Sequence, residues 1–187
     1  MANAGDRETR FRALCEAHTP AVLAYALRRV PRDDAADVVA ETFLIAWRRL
    51  DDVAEGSALP WLYAVARRVL LSQQRSARRQ RAIAERVAAV EPPVVADAPA
   101  TPGSQRLLAA LTGLSEQERE VLMLTAWEEL SSREAACVLG CSATAYRIRL
   151  HRARGRLRAR LAEAEAGAPI AGASPAPSAR TEESPSC

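Results

Sequence analysis

Any chemistry this chain performs must rest on arginine. All 26 of its basic residues are Arg, with no Lys, and a guanidinium offers a planar fork of donors that matches a phosphate or the edge of a guanine. The arginines gather in two runs. Between Gly56 and Ala84 stand Arg67, Arg68, Arg75, Arg78, Arg79 and Arg81, with no acid among them. Between Ala135 and Ala162 stand Arg147, Arg149, Arg152, Arg154, Arg156, Arg158 and Arg160, again with no acid. A solvated helix face usually mixes signs, so one-sign runs of this length ask for a polyanion or an acidic partner. The plainer reading is an Arg-rich amphipathic helix that touches no nucleic acid.

Other chemistry is poorly signalled. There is no Gly-rich phosphate loop, no spaced set of metal ligands and no carboxylate pair beside a Ser or His in a plausible pocket, so neither an enzyme nor a cofactor is expected. Cys15, Cys137, Cys141 and Cys187 are scattered and only two His are present. Reduced thiols therefore fit better than disulfides or a zinc site. No stretch approaches the roughly 18 to 20 apolar residues of a membrane span, and the N-terminus is unlike a signal peptide, so a cytoplasmic protein is expected.

The elements that must position these arginines are helices. Of the 187 residues 49% are hydrophobic but only 4% aromatic, an Ala-heavy balance that favours helix and contributes little core volume. Apolar residues recur at three and four, with no sustained alternation, which predicts an all-α chain. A first helix is expected from Asp6 to Val30, with Phe11, Leu14, Cys15, His18 and Val22 on one stripe and a kink at Pro20. A second should run from Asp33 to Leu50, with Val39, Phe43, Ala46 and Trp47 on one side. Asp51 to Ser57 reads as a loop, and Pro60 as the first residue of a third helix carrying Leu62, Val65, Ala66 and Val69.

Glu91 to Ser104, with four Pro and no helical period, reads as an extended linker, and the Ala, Pro and Ser-rich tail from Glu163 as disordered. Charge divides along the same lines. Residues 1–80 carry 13 Arg against 10 acids and 105–162 carry 10 against 6, whereas 81–104 and 163–187 are net acidic. The expected organisation is two small helical domains, 1–81 and 105–162, joined by a flexible linker over 82–104 and followed by a tail over 163–187.

The second unit opens with a short helix near Gln105 to Leu111. Ser115 with Glu118, and Ser131 with Glu134, have the spacing of capping boxes before apolar runs. Gly140 supplies a left-handed turn and Ser142 a cap for a long helix ending near Leu161. Short helices, a Gly turn and a longer helix form a helix-turn-helix pattern. Ile148, Leu150, Leu157 and Leu161 would anchor the long helix. Glu116, Glu118, Glu120, Glu128, Glu129 and Glu134 make the preceding helices acidic, leaving the unit dipolar.

Together these residues resemble the extracytoplasmic function (ECF, group IV) sigma factors of the sigma-70 family. The run Asp34 to Trp47 (DAADVVAETFLIAW) is similar to the family's second conserved region, and Pro60 to Arg68 (PWLYAVARR) to its promoter-melting helix. Leu114 to Leu122 (LSEQEREVL) and Ser142 to Arg154 (SATAYRIRLHRAR) resemble its C-terminal region. The resemblance covers about residues 8–80 and 105–162, in the family's order.

It implies that the helix over 33–50 docks on the clamp of the RNA polymerase largest subunit through Asp37, Glu41, Phe43 and Leu44. It implies that the loop from Asp51 to Ala58 and the third helix capture minus-ten bases through Trp61, Tyr63, Arg67, Arg68, Arg75 and Arg78. Stacking plus backbone contacts from Arg suits single-stranded DNA, although Phe43, Trp47 and Trp61 serve equally well as core. The C-terminal unit would read the minus-thirty-five element with Arg147, Ile148, His151 and Arg152, hold phosphates with Ser142, Thr144, Arg149 and Arg154, and turn its acidic helices to the polymerase flap. An anti-sigma partner is a further implication. The chain departs from the pattern at Ala40 for Gln, Arg68 for Asn, Ser72 for Asp, and Tyr146 and Ile148 for smaller residues.

The function expected is therefore that of an RNA polymerase sigma factor. The competing reading is a dimeric regulator that binds duplex DNA without polymerase, since Leu114 to Arg154 also resembles the DNA-binding end of LuxR-type proteins. It leaves residues 33–80 unexplained.

Overall fold

The computed structural model describes residues 4–54, 56–84 and 101–166. Most of the expected linker and the tail beyond 166 lie outside the described residues. Within them the chain forms seven α-helices and no strand: α1 (Ala4–Leu27), α2 (Arg32–Arg48), α3 (Ala58–Ala84), α4 (Pro102–Thr112), α5 (Glu116–Ala126), α6 (Ser132–Leu139) and α7 (Ala143–Ala166). A single 3-10 turn, Leu50–Asp52, follows α2.

Helices α1 to α3 form the first bundle, and the apolar stripes read from the sequence face its centre. Val22, Tyr25, Ala26, Val38, Ala46 and Leu62 are wholly buried. Phe11 meets Phe43 edge-on at 6.4 Å and Trp47 at 5.0 Å, fixing α1 against α2. Thr42 is equally buried, and its hydroxyl donates to the Val38 carbonyl at 2.7 Å, so this polar group is satisfied within the core. Arg7 and Arg10 reach over the turn after α2, donating to the carbonyls of Trp47 and Val53 at 2.7 and 2.6 Å.

Several boundaries shift from those expected. Helix α1 runs through Pro20 and ends at Leu27 rather than Val30. Helix α3 starts at Ala58, which places Pro60 within the first turn, where its missing N–H costs nothing. Helix α4 begins at Pro102, ahead of Gln105, because the Thr101 hydroxyl caps it by accepting from the Ser104 N–H. Helix α7 continues past Leu161 through an Ala and Glu-rich stretch of high helix propensity.

The two capping boxes form as the spacing requires. Ser115 and Ser131 accept from the backbone N–H groups of Glu118 and Glu134, and each Glu side chain accepts in return from its Ser N–H. These hydrogen bonds hold both carboxyls below the usual carboxylate range. Helix α6 ends on Gly140 in the left-handed region (φ 63°, ψ 40°), and Ser142 caps α7 by accepting from the Ala145 N–H at 3.1 Å. A Cβ at Gly140 would meet nothing within 4 Å, so a substitution there is penalised by the backbone alone. Gly140→Ala should destabilise the second unit by about 1 kcal/mol, read from urea unfolding followed by circular dichroism.

Candidate nucleic-acid interface

Helix α7 divides cleanly between inward and outward residues. Tyr146, Leu150 and Ala153 are buried and Leu157 is half-buried, at the four, three and four spacing of a helix laid on a core. Ser142, Thr144, Arg147, Ile148, Arg149, His151, Arg152 and Arg154 are all exposed. The side chains expected to contact the minus-thirty-five element therefore share the solvent side of one helix. Among the described residues, Arg147, Arg149, Arg152 and Arg154 make no ion pair with an acid, whereas Arg156 is paired with Glu118 of α5. The pair braces α7 below its free arginines.

Two residues differ from the sequence reading. Ile148 is 48% exposed, so it anchors nothing and stands instead among the outward residues. Tyr146 is fully buried; its hydroxyl donates to the Val121 carbonyl at 2.8 Å and shares a hydrogen bond with the Thr125 hydroxyl at 2.7 Å. The departure from smaller residues at 146 thus ties α7 to α5 and does not alter the solvent-exposed face of α7.

On α2, Asp37, Glu41 and Leu44 are exposed at helical spacing, and Leu44 is 49% exposed, an apolar side chain offered to solvent beside two carboxylates. Phe43 is not on that face; it points into the core against Phe11. Trp47 is partly outward, packed edge-on against Phe11 with the Arg7 guanidinium 5.3 Å from its ring.

On α3, Arg68 and Arg75 are exposed, Arg67 and Trp61 are half-buried, and Arg78 falls on the same helix. Tyr63 is only 3% exposed. It stacks on Tyr25 at 4.9 Å, and burial, with the negative charge of the nearby Glu128 carboxylate, pushes its phenol up to about 12.

Glu128 belongs to the turn after α5, and its position reveals a cluster that no spacing in the sequence announces. Helix α6 lies against α3, and the end of α1 meets α5. The Arg29 guanidinium, 8% exposed, donates through Nε to Glu120 at 2.9 Å and through Nη1 to Glu128 at 3.1 Å. Arg28 also pairs with Glu128. Tyr25 donates to Glu120 at 2.9 Å, beneath the Arg29 guanidinium 3.5 Å from its ring. Two of the acids expected to face outward thus turn inward onto the first unit, and Glu118 and Glu134 are engaged in their capping boxes. The only trace in the sequence is the charge asymmetry of α5, because the partners stand 91 to 100 residues apart.

Two helical bundles, one ending in a helix-turn-helix with an unpaired Arg face, define a DNA-binding class. Comparison with known proteins narrows it. The Sigma-70 region 2 family matches residues 14–80 and the Sigma-70, region 4 family residues 104–157. RNA polymerase sigma factor NccH of Alcaligenes xylosoxydans xylosoxydans is 34% identical over 68% of this chain and 73% of its own. ECF RNA polymerase sigma factor SigL of Mycobacterium tuberculosis is 31% identical over 76% of this chain and 84% of its own. Among solved structures, sigma factor RpoE of Bartonella quintana, in complex with the anti-sigma factor NepR, aligns with a TM-score of 0.66 at 28% identity. That alignment covers 81% of this chain and 96% of RpoE.

The chain belongs to the extracytoplasmic function sigma factors of the sigma-70 family. The region 2 match accounts for the half that a LuxR-like regulator leaves unexplained, and that alternative is set aside. Among the described residues no helix is long and apolar enough to cross a membrane.

Because Tyr146 is structural, Tyr146→Phe should cost about 1 kcal/mol in urea unfolding by removing its buried hydrogen bond to the Val121 carbonyl. Sequence preference on duplex promoter fragments should be unchanged, as a competition binding assay would report.

Proposed function

We propose that the chain acts in the cytoplasm as a non-catalytic promoter-specificity subunit of RNA polymerase, working as two units over 1–81 and 105–162 joined through 82–104. In this reading α2 docks on the polymerase clamp through Asp37, Glu41 and Leu44, with Phe43 shaping that face from beneath. Helix α3 holds the melted minus-ten strand with Trp61, Arg67, Arg68, Arg75 and Arg78, and Tyr63 joins them once uncovered. The start of α7 reads the minus-thirty-five element through Arg147, Ile148, His151 and Arg152, while Ser142, Thr144, Arg149 and Arg154 hold phosphates. An anti-sigma protein of the kind bound to RpoE in the solved complex is the expected regulator.

The observation that carries this reading is the outward face of α7. It places guanidiniums without carboxylate partners immediately after a capped helix start, which is how a recognition helix presents base-reading residues early and phosphate contacts along its flanks. Tethering then lets two weak grips act as one, because the second element is met at high effective concentration.

The test is reconstitution with core RNA polymerase from a related bacterium, scored by initiation from genomic fragments that core alone ignores. Arg147→Ala with Arg152→Ala should lower promoter-specific initiation at least about tenfold, each good base contact being worth roughly 1 to 3 kcal/mol, with core binding unchanged. Asp37→Ala with Leu44→Ala should do the reverse, weakening core binding in a pull-down titration about tenfold through loss of a central apolar and charged contact. Equal loss of both properties in both variants would refute the assignment.

A further inference from the structure

Ile148 is out of character for the face it occupies. Of the large apolar side chains on α7, Tyr146 and Leu150 are buried and Leu157 is half-buried, whereas Ile148 is 48% exposed. Residues three and four apart are neighbours on a helix surface, and those around Ile148 include Thr144, His151 and Arg152, all exposed. Arg147 and Arg149 flank it in sequence and are exposed too. Ile148 is thus a hydrocarbon group in a field of guanidiniums and polar groups, in the second turn of a helix that begins at Ala143.

Packing within the chain does not account for this position. Ile148 belongs neither to the core cluster nor to the partly buried apolar residues packed against it. Being β-branched, it is held at χ1 by the helix, so little side-chain freedom is lost when something covers it. A stiff apolar group among cations fits a surface that is polyanionic overall yet carries an apolar point. The major groove of DNA is such a surface. Phosphates line its rims, the base edges present donors and acceptors, and the apolar group among them is the 5-methyl of thymine.

We propose that Ile148 is a specificity-determining residue that reads thymine in the minus-thirty-five duplex by apolar contact with its 5-methyl group. The proposal rests on the assignment of α7 as the recognition helix, and it adds the chemical group that Ile148 recognises. The neighbouring guanidiniums select differently, since a fork of donors matches the O6 and N7 acceptors of guanine. Charge brings this face of α7 to the groove, and Ile148 then discriminates where charge is blind, because every base pair carries the same phosphates.

The test uses holoenzyme reconstituted from the full-length chain and core RNA polymerase, on a promoter recovered by initiation from genomic fragments. Each thymine of the minus-thirty-five duplex is replaced in turn by uracil, which removes the methyl and keeps every hydrogen-bonding group. At one position the wild type should lose about threefold to fourfold in affinity, the factor that burial of one methyl-sized group supplies. A C·G pair at that position should bind more weakly than T·A, and 5-methylcytosine should recover about the same factor by restoring the methyl alone. Ile148→Ala should bind the thymine and uracil duplexes equally, and Ile148→Val should keep part of the difference. Because Ile148 lies outside the core, neither variant should shift the urea unfolding midpoint, which separates readout from folding.

Uracil tolerated by the wild type at every position, or a methyl effect that survives in Ile148→Ala, would overturn the proposal. Failure to initiate from any fragment would refute the sigma reading instead. The uracil series is then run on duplexes that the full-length chain selects from a random pool. There, a methyl effect lost in Ile148→Ala upholds the proposal, and the lack of one overturns it.

Discussion

Glu128 sits with its side chain 1% exposed, and a carboxylate so far from water persists only where cations and donors surround it. Arg28 and Arg29 supply the charge, and Tyr63 adds a neutral donor because its phenol, pushed up to about 12, keeps its proton. The backbone yields to place it: the next residue, Glu129, takes a left-handed conformation (φ 52°) that costs a non-glycine residue about 1 kcal/mol or more. The turn between α5 and α6 thus holds both this left-handed residue and the carboxylate that meets the other unit.

That arrangement joins two functions in one set of residues. Tyr25 and Tyr63 belong to the core of the first bundle and to the contact with the second, so the interior of one unit is continuous with the interface. The absence of lysine suits this dual use. A guanidinium can lie on an aromatic ring and bridge two carboxylates at once, as Arg29 does, whereas an ammonium is a point charge with stronger hydration. The same side chain left without a carboxylate on α7 keeps its fork of donors available to a phosphate or guanine. What separates a structural Arg from a solvent-facing one among the described residues is whether a carboxylate lies within reach.

The helix-turn-helix shows how packing selects which residues of α7 face solvent. Tyr146 and Ile148 are close neighbours in sequence, yet helical periodicity sends one into the core and the other to solvent. Tyr146, tied to Val121 and Thr125, sets how far α7 stands from α5. Glu118 adds a second constraint by capping α5 while pairing with Arg156. The orientation of α7 is therefore fixed from the rear, and its outer face takes no part in the packing.

Much of this was legible in one dimension because its causes are local. Capping boxes at Ser115 and Ser131, the left-handed Gly140, the cap at Ser142 and the apolar periods of α1, α2 and α3 each depend on residues within one or two turns, so spacing alone determines them. The unpaired Arg face of α7 was equally readable, since no acid lies between Ala135 and Ala162 to neutralise it. Position relative to the other unit was not. That Phe43 and Tyr63 turn inward, that Glu120 and Glu128 face Arg29 rather than solvent, and that α6 covers part of α3 depend on partners about 30 to 100 residues away. Burial and charge pairing across such separations are properties of the assembled chain, and only the tertiary structure decides which of many arginines meets which of many acids.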